Sequence, residues 1–136
     1  GMNTVNMRLI PITPFKDSRG SLKKILKKSN MSKDLNIDEA YVLYSEKGAI
    51  RGNHYHKETT EYFCVLKGSI KFAMKGFGKE YIEEISIHEG DNIVIEVPPL
   101  TAHAIINEED EKAIVLVLST REYDENSTDT YKEVLY

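Results

Sequence analysis

Polar and apolar residues alternate with period two along most of this chain, and glycine, proline or acidic turns break the alternation at short intervals. Successive side chains of an extended strand point to opposite faces, so the pattern predicts short strands with one face buried. A first strand is expected over residues 7–12, halted by Pro11 and Pro14. The turn Asp17-Ser18-Arg19-Gly20 follows, and residues 21–25 resume an extended path. Residues 40–44 alternate again. The run EYFCVL at 61–66 and the return at 69–74 across Lys67-Gly68 predict a hairpin. Further strands are expected at 81–87, 93–97, 101–106 and 113–118. The last two are read as a pair, with 113–118 apolar on both faces, as a strand enclosed on two sides would be. Residues 31–35 make one helical turn or a loop, and the polar tail 120–136 is read as a loop plus a short helix. Many short strands with regular turns predict a β-sandwich or barrel, here as one domain spanning residues 2–136.

Composition narrows the classes. At 136 residues the chain can bury a core without disulfides. Eighteen basic and 22 acidic residues give a mixed surface with a formal charge of −4, so no nucleic-acid stripe or membrane-binding face is expected. The single cysteine, Cys64, has no intrachain partner, which agrees with a cytoplasmic location. No apolar run approaches the roughly 20 residues that span a bilayer. Phosphate-binding glycine loops, dinucleotide fingerprints and nucleophile elbows are absent from the sequence.

The chemistry concentrates in histidines. His54 and His56 are spaced i, i+2, which on an extended strand puts both imidazoles on one face with Tyr55 pointing away. Glu61 opens the next strand, and His103 follows the Pro98-Pro99 turn. Three imidazoles and one carboxylate can hold a divalent metal such as Zn, Fe, Mn or Ni and leave positions open for substrate. Spacing alone leaves a surface pair as an alternative. His88 sits in a turn and is read as exposed.

The stretch 48–68, GAIRGNHYHKETTEYFCVLKG, resembles the first cupin motif, and 90–107, GDNIVIEVPPLTAHAIIN, resembles the second. Pro98, His103 and Asn107 fall in the second motif's spacing, while Leu100 stands where glycine is usual and the Gly90–Pro98 gap is long, which suggests a bulge or a longer strand. The resemblance implies an all-β cupin double-stranded β-helix, a jelly-roll barrel, with His54, His56, Glu61 and His103 as metal ligands. The segments FKDSRGSL at 15–22 and IRGNHYHK at 50–57 resemble deoxysugar-nucleotide epimerases and 3,4-ketoisomerases. The tail YDENSTDTY at 123–131 resembles the end of the cupin domain in capsular-polysaccharide sugar reductases.

Those resemblances imply an RmlC-like isomerase or epimerase that enolises a nucleotide-linked 4-keto-6-deoxy sugar for surface polysaccharide synthesis. They imply that Arg19 and Arg51 grip the diphosphate, with Lys57 beside them. An arginine fork suits phosphate oxygens and stays charged when partly desolvated. His54 or His56 is then the base, with Tyr123 or Tyr131 as the candidate acid. A metal held by both histidines leaves neither free as base. Alternatives from other classes are a metal-dependent dioxygenase or phosphosugar isomerase, and a non-catalytic sugar-binding cupin. The expected partner besides the nucleotide sugar is a second copy, as a homodimer.

Overall fold

The computed structural model describes residues 8–136. Its strands are β1 (Arg8–Pro11), β2 (Phe15–Asp17), β3 (Gly20–Leu22), β4 (Glu39–Ser45), β5 (Ile50–Tyr55), β6 (Glu61–Lys67), β7 (Ser69–Gly76), β8 (Glu83–His88), β9 (Ile93–Val97), β10 (Thr101–Ile106), β11 (Ala113–Ser119) and β12 (Tyr131–Lys132). One five-stranded sheet has the order β1-β9-β6-β11-β4 and a second has β12-β5-β10-β7-β8, while β2 and β3 form a separate hairpin. All pairings within these sheets are antiparallel.

The closed jelly-roll barrel expected from the cupin resemblance is not formed. Among the described residues no ladder joins the two sheets, so β1 and β4 are open edges of one and β12 and β8 of the other. The sheets instead pack face to face. Phe63, Val65, Ile95, Val97, Val115 and Val117 of the first share one core with Ile70, Phe72, Met74, Ile87 and Ile105 of the second. A period-two pattern records which side of a strand is buried but not whether its sheet closes, so it could not separate the two architectures.

The first sheet is apolar on its other face too. There Tyr62, Cys64 and Val94 pack with Ile10 and Ile12, and the polar-looking segment after β3 lays Ile25, Leu26 and Met31 over Leu116 and Leu118. That second cluster explains why β6 and β11 carry apolar residues at consecutive positions. No helix among the described residues is long and apolar enough to cross a membrane.

Several local expectations need correcting. The strands β6 and β7 do not form a hairpin, because the chain changes sheet at Gly68. Gly68 has φ +80, and a Cβ there would stand 3.3 Å from the Ala113 Cα and the Lys112 carbonyl oxygen, so the crossing passes close over the start of β11. Likewise β10 and β11 lie in different sheets, β10 between β5 and β7, and β11 between β4 and β6. The helical turn is a 3-10 turn at Lys28–Asn30, ahead of 31–35, and the tail forms β12 instead of a short helix. The extra length before Pro98 is taken up by a 3-10 turn at Glu89–Asp91 and by Asn92 at φ +54, without any bulge in β9. Met7 and the domain's first residues lie outside the described residues.

Candidate active site

The HxH segment is set by an unusual stretch of backbone. Gly52 has φ +90, and a Cβ on it would fall 2.8 Å from the His103 carbonyl oxygen. Only glycine lets β5 approach β10 this closely. Asn53 follows at φ +58, and the β5–β10 register shifts between His103 and Ala104. The outcome is that His54 stands directly opposite His103. Their ring centroids are 4.8 Å apart, with His56 at 5.1 Å from His54 and 5.9 Å from His103. His88, by contrast, is exposed and caps the 3-10 turn at Glu89–Asp91.

Glu61 reaches the same point from the opposite sheet. Its Oε1 lies 2.8 Å from His56 Nε2 and 3.6 Å from His103 Nε2, and its Oε2 accepts the Tyr41 hydroxyl at 2.9 Å. His103 is 2% exposed and Glu61 4%, while His54 and His56 are half-buried and face a cavity of about 660 Å³. Phe63 and Phe72 pack on the His103 ring and close the floor. The opposite wall is the stretch after β11, including Arg121, Tyr123, Asp124 and Asp129.

Burial opposes every charge here, and the partners decide which survive. Burial pushes Glu61 up, but the His56 hydrogen bond, the imidazole charges and the Tyr41 hydroxyl outweigh it and hold the carboxyl well below its usual range. Burial lowers His103 to about 4 and, helped by His56, also lowers His54. His56 goes the other way. Burial would lower it, but the Glu61 carboxylate and the Asp129 carbonyl raise it. Burial and Glu61 push the Tyr41 hydroxyl up.

The four donor atoms of His54, His56, Glu61 and His103 lie within 4.8 Å of one another. Convergent imidazole nitrogens and a carboxylate are a fitting donor set for a first-row divalent ion. The structure thus brings together all four residues that the motifs imply as ligands, and Tyr123 lies on the cavity wall with His54, His56 and Glu61.

The other expected residues stand apart from that cavity. Arg19 is 88% exposed on its side chain and pairs with Asp17 at 2.6 Å, beside a separate groove lined by Phe15, Lys16 and Lys24. Arg51 is exposed and donates to the Tyr44 carbonyl at 3.3 Å. Lys57 holds its ammonium 4.3 Å over the Tyr131 ring, which stacks on Tyr55 at 5.4 Å. Asn107 is fully buried and serves the fold, donating to the Ser45 and Glu111 carbonyls. Sequence reasoning missed Tyr41 and Asp129. Tyr41 shares the inward phase of β4 with Leu43, so the alternation held a signal for it, whereas Asp129 lies within the tail segment 123–131 that carries the resemblance but has no signal of its own there.

Comparison with known proteins gives one family match, to the polysaccharide biosynthesis C-terminal domain over residues 15–131. A curated relative, the UDP-2-acetamido-2,6-beta-L-arabino-hexul-4-ose reductase of Pseudomonas aeruginosa, is 26% identical over 115 residues. The match takes in 85% of this chain but only 29% of that protein's length. Among solved structures, a double mutant of the QdtA 3,4-ketoisomerase from Thermoanaerobacterium thermosaccharolyticum, in complex with TDP, has TM-score 0.80 and 26% identity, covering 96% of this chain and 89% of that one. The capsular polysaccharide assembling protein CapF from Staphylococcus aureus has TM-score 0.71 and 23% identity, covering 92% of this chain and 33% of that one. The resemblance to the 3,4-ketoisomerases and to capsular-polysaccharide cupins is borne out in the fold.

Proposed function

This chain belongs to the polysaccharide biosynthesis C-terminal domain family, and from that premise we propose that it is an isomerase or epimerase of a nucleotide-linked 4-keto-6-deoxy sugar. The observation that carries the reading is the convergence of three imidazoles and a carboxylate on the floor of a cavity, in a fold that matches 3,4-ketoisomerases over nearly its whole length. A ketone acidifies the C–H bonds beside it. The enzyme must take one such proton and stabilise the enolate or enediolate; a ketoisomerase then returns a proton to the former carbonyl carbon, and an epimerase returns it to the other face of the carbon that lost it.

His54 is the best-suited base. It opens onto the cavity, burial keeps it neutral at pH 7, and its ring makes no hydrogen bond among the described residues. His56 is committed on both nitrogens, to Asp129 and Glu61. Tyr123 on the wall is the candidate acid, while Tyr41 is occupied by Glu61. A divalent ion held by His54, His56, Glu61 and His103 would supply Lewis-acid stabilisation of the enediolate oxygen. Tyr123 would then carry the proton with cavity water. Metal analysis of tag-free protein separates these two versions of the site.

Arg19, Arg51 and Lys57 are proposed to bind the diphosphate. Because they stand outside the cavity of one chain, the proposal includes a homodimer in which a second copy completes the nucleotide end. Exposed Phe15, Leu22 and Tyr44 favour such pairing. A cytoplasmic location goes with the same reading. The test is proton NMR in heavy water with dTDP-4-keto-6-deoxyglucose and catalytic amounts of protein. Loss of a ring-proton signal beside the ketone is expected, and exchange no faster than in a protein-free control would overturn the reading.

A further inference from the structure

The stretch after β11 does more than wall the cavity. Asp129 ties it to the HxH segment at five points. Its carbonyl accepts the His56 Nδ1–H at 2.6 Å. Its carboxylate accepts the backbone N–H groups of Lys57, Glu58 and Thr59, each at 2.9 Å, and the Thr59 hydroxyl at 2.8 Å. One of these four donors falls on Oδ1 and three on Oδ2. The chain then continues along the same strand. In the β12–β5 ladder Tyr131 pairs with Tyr55 and Lys132 with His54, and the Asn53 side chain accepts from the Leu135 and Tyr136 amides.

We propose that Asp129 is a positioning residue for His56. Its carboxylate fixes where its own carbonyl stands, and that carbonyl fixes the ring. Both partners of the ring are acceptors, so it donates from Nδ1 to the carbonyl and from Nε2 to Glu61, and the carbonyl turns Nε2 toward Glu61 and the cavity floor. A hydrogen bond to the far nitrogen of a functional imidazole sets its tautomer and orientation, and losing such a partner costs about 10–100-fold in metal affinity or activity. Without the carboxylate, the 57–59 turn loses its acceptor and the Asp129 carbonyl is no longer held over the ring. The proposal rests on the reading of this cluster as the reacting centre, but its test does not use turnover.

The test is the side-chain nitrogen–proton spectrum of His56 in 15N-labelled protein, together with titration by Co2+ alone. The parent should show a protonated Nδ1 with the downfield proton of a short hydrogen bond. Asp129→Ala should lose that signal and bind Co2+ about 10–100-fold more weakly, with an altered cobalt absorption spectrum. Asp129→Asn, which keeps one acceptor oxygen, should fall between the two. A folded Asp129→Ala with an unchanged His56 signal and unchanged Co2+ binding would overturn the proposal. So would an unprotonated Nδ1 in the parent, and that measurement stands even if the alanine variant does not fold. Failure of the parent to exchange sugar protons would count against the isomerase reading and leave these spectra unaffected.

Discussion

Two buried glutamates on adjacent strands of one sheet, Glu61 and Glu96, show how similar environments serve different ends. Each is 4% exposed, each accepts a tyrosine hydroxyl, and each carboxyl is held below its usual range. They face opposite ways. Glu61 looks into the space between the sheets and Glu96 onto the outer cluster. Glu96 accepts from Tyr62 at 2.6 Å, from the Ser32 amide at 3.1 Å, and from Arg8 at 3.2 and 3.3 Å. These partners are permanent donors, so Glu96 is saturated and pins the segment after β3 to the sheet. The partners of Glu61 include two imidazoles, groups that can lose a proton or take a metal, and they border a cavity. Burial and a depressed pKa therefore do not distinguish a working carboxylate from a structural one. The exchangeability of the partners does.

The largest expected effect follows from Glu61. Glu61→Gln keeps the size and an acceptor for Tyr41 but removes the charge that organises the imidazoles. Sugar-proton exchange should fall by about 100-fold or more. Stability in urea should fall by less than in the Glu96 variant, because the imidazoles can shed their protons once the carboxylate is gone, whereas the donors to Glu96 cannot. Equal losses of exchange and stability would erase the contrast with Glu96.

Glu96→Gln should do the reverse. It weakens one ion pair and the hydrogen bonds to Tyr62 and Ser32, at a cost of roughly 2–3 kcal/mol. The half-exposed Arg8 is free to turn to water, which keeps the figure modest. Exchange should be unaffected. The sign with pH is also set. A carboxyl whose folded pKa is depressed contributes stability above its unfolded value, here 4.5, and the contribution is lost as pH falls through the folded value. Urea midpoints of parent and variant should differ most above pH 4.5 and converge on acidification. A gap that widened with acid would refute the assignment.

The inner site was the more legible of the two in sequence. The i, i+2 histidines, Glu61 and His103 lie where motif spacing puts them, because a period of two fixes side-chain direction within a strand. Spacing could not report which strands pair. Lys67-Gly68 reads equally as a hairpin turn or as a crossing between sheets, and only the close pass over Ala113 makes it the latter. Closure of the barrel was beyond reach for the same reason. Asp129 was invisible because its main role runs through its backbone carbonyl, which has no residue signature, and through an edge pairing of the tail that no local pattern encodes.

Strain gathers on the inner side as well, and it yields the smallest prediction. Gly52, Asn53 and Leu100 all have positive φ and flank the histidines, whereas Arg8, Ser32, Tyr62 and Glu96 around the outer carboxylate do not. Leu100 is the outlier, a bulky residue at φ +65 in the place where the second cupin motif usually has glycine. Its amide donates to the His56 carbonyl at 2.6 Å and its own carbonyl accepts from the Phe77 amide at 2.8 Å, which ties the residue down on both sides. Truncation to alanine or to glycine removes the same exposed side chain, and the two variants differ only in a Cβ at this conformation. Leu100→Gly should therefore be more stable than Leu100→Ala by about 1 kcal/mol, despite glycine's greater freedom when unfolded. Both should retain exchange, since the bond to His56 is made by the backbone. Equal stability of the two variants would mean that Leu100 carries no left-handed strain, and the contrast between a strained inner site and a relaxed outer one would then rest on Gly52 and Asn53 alone.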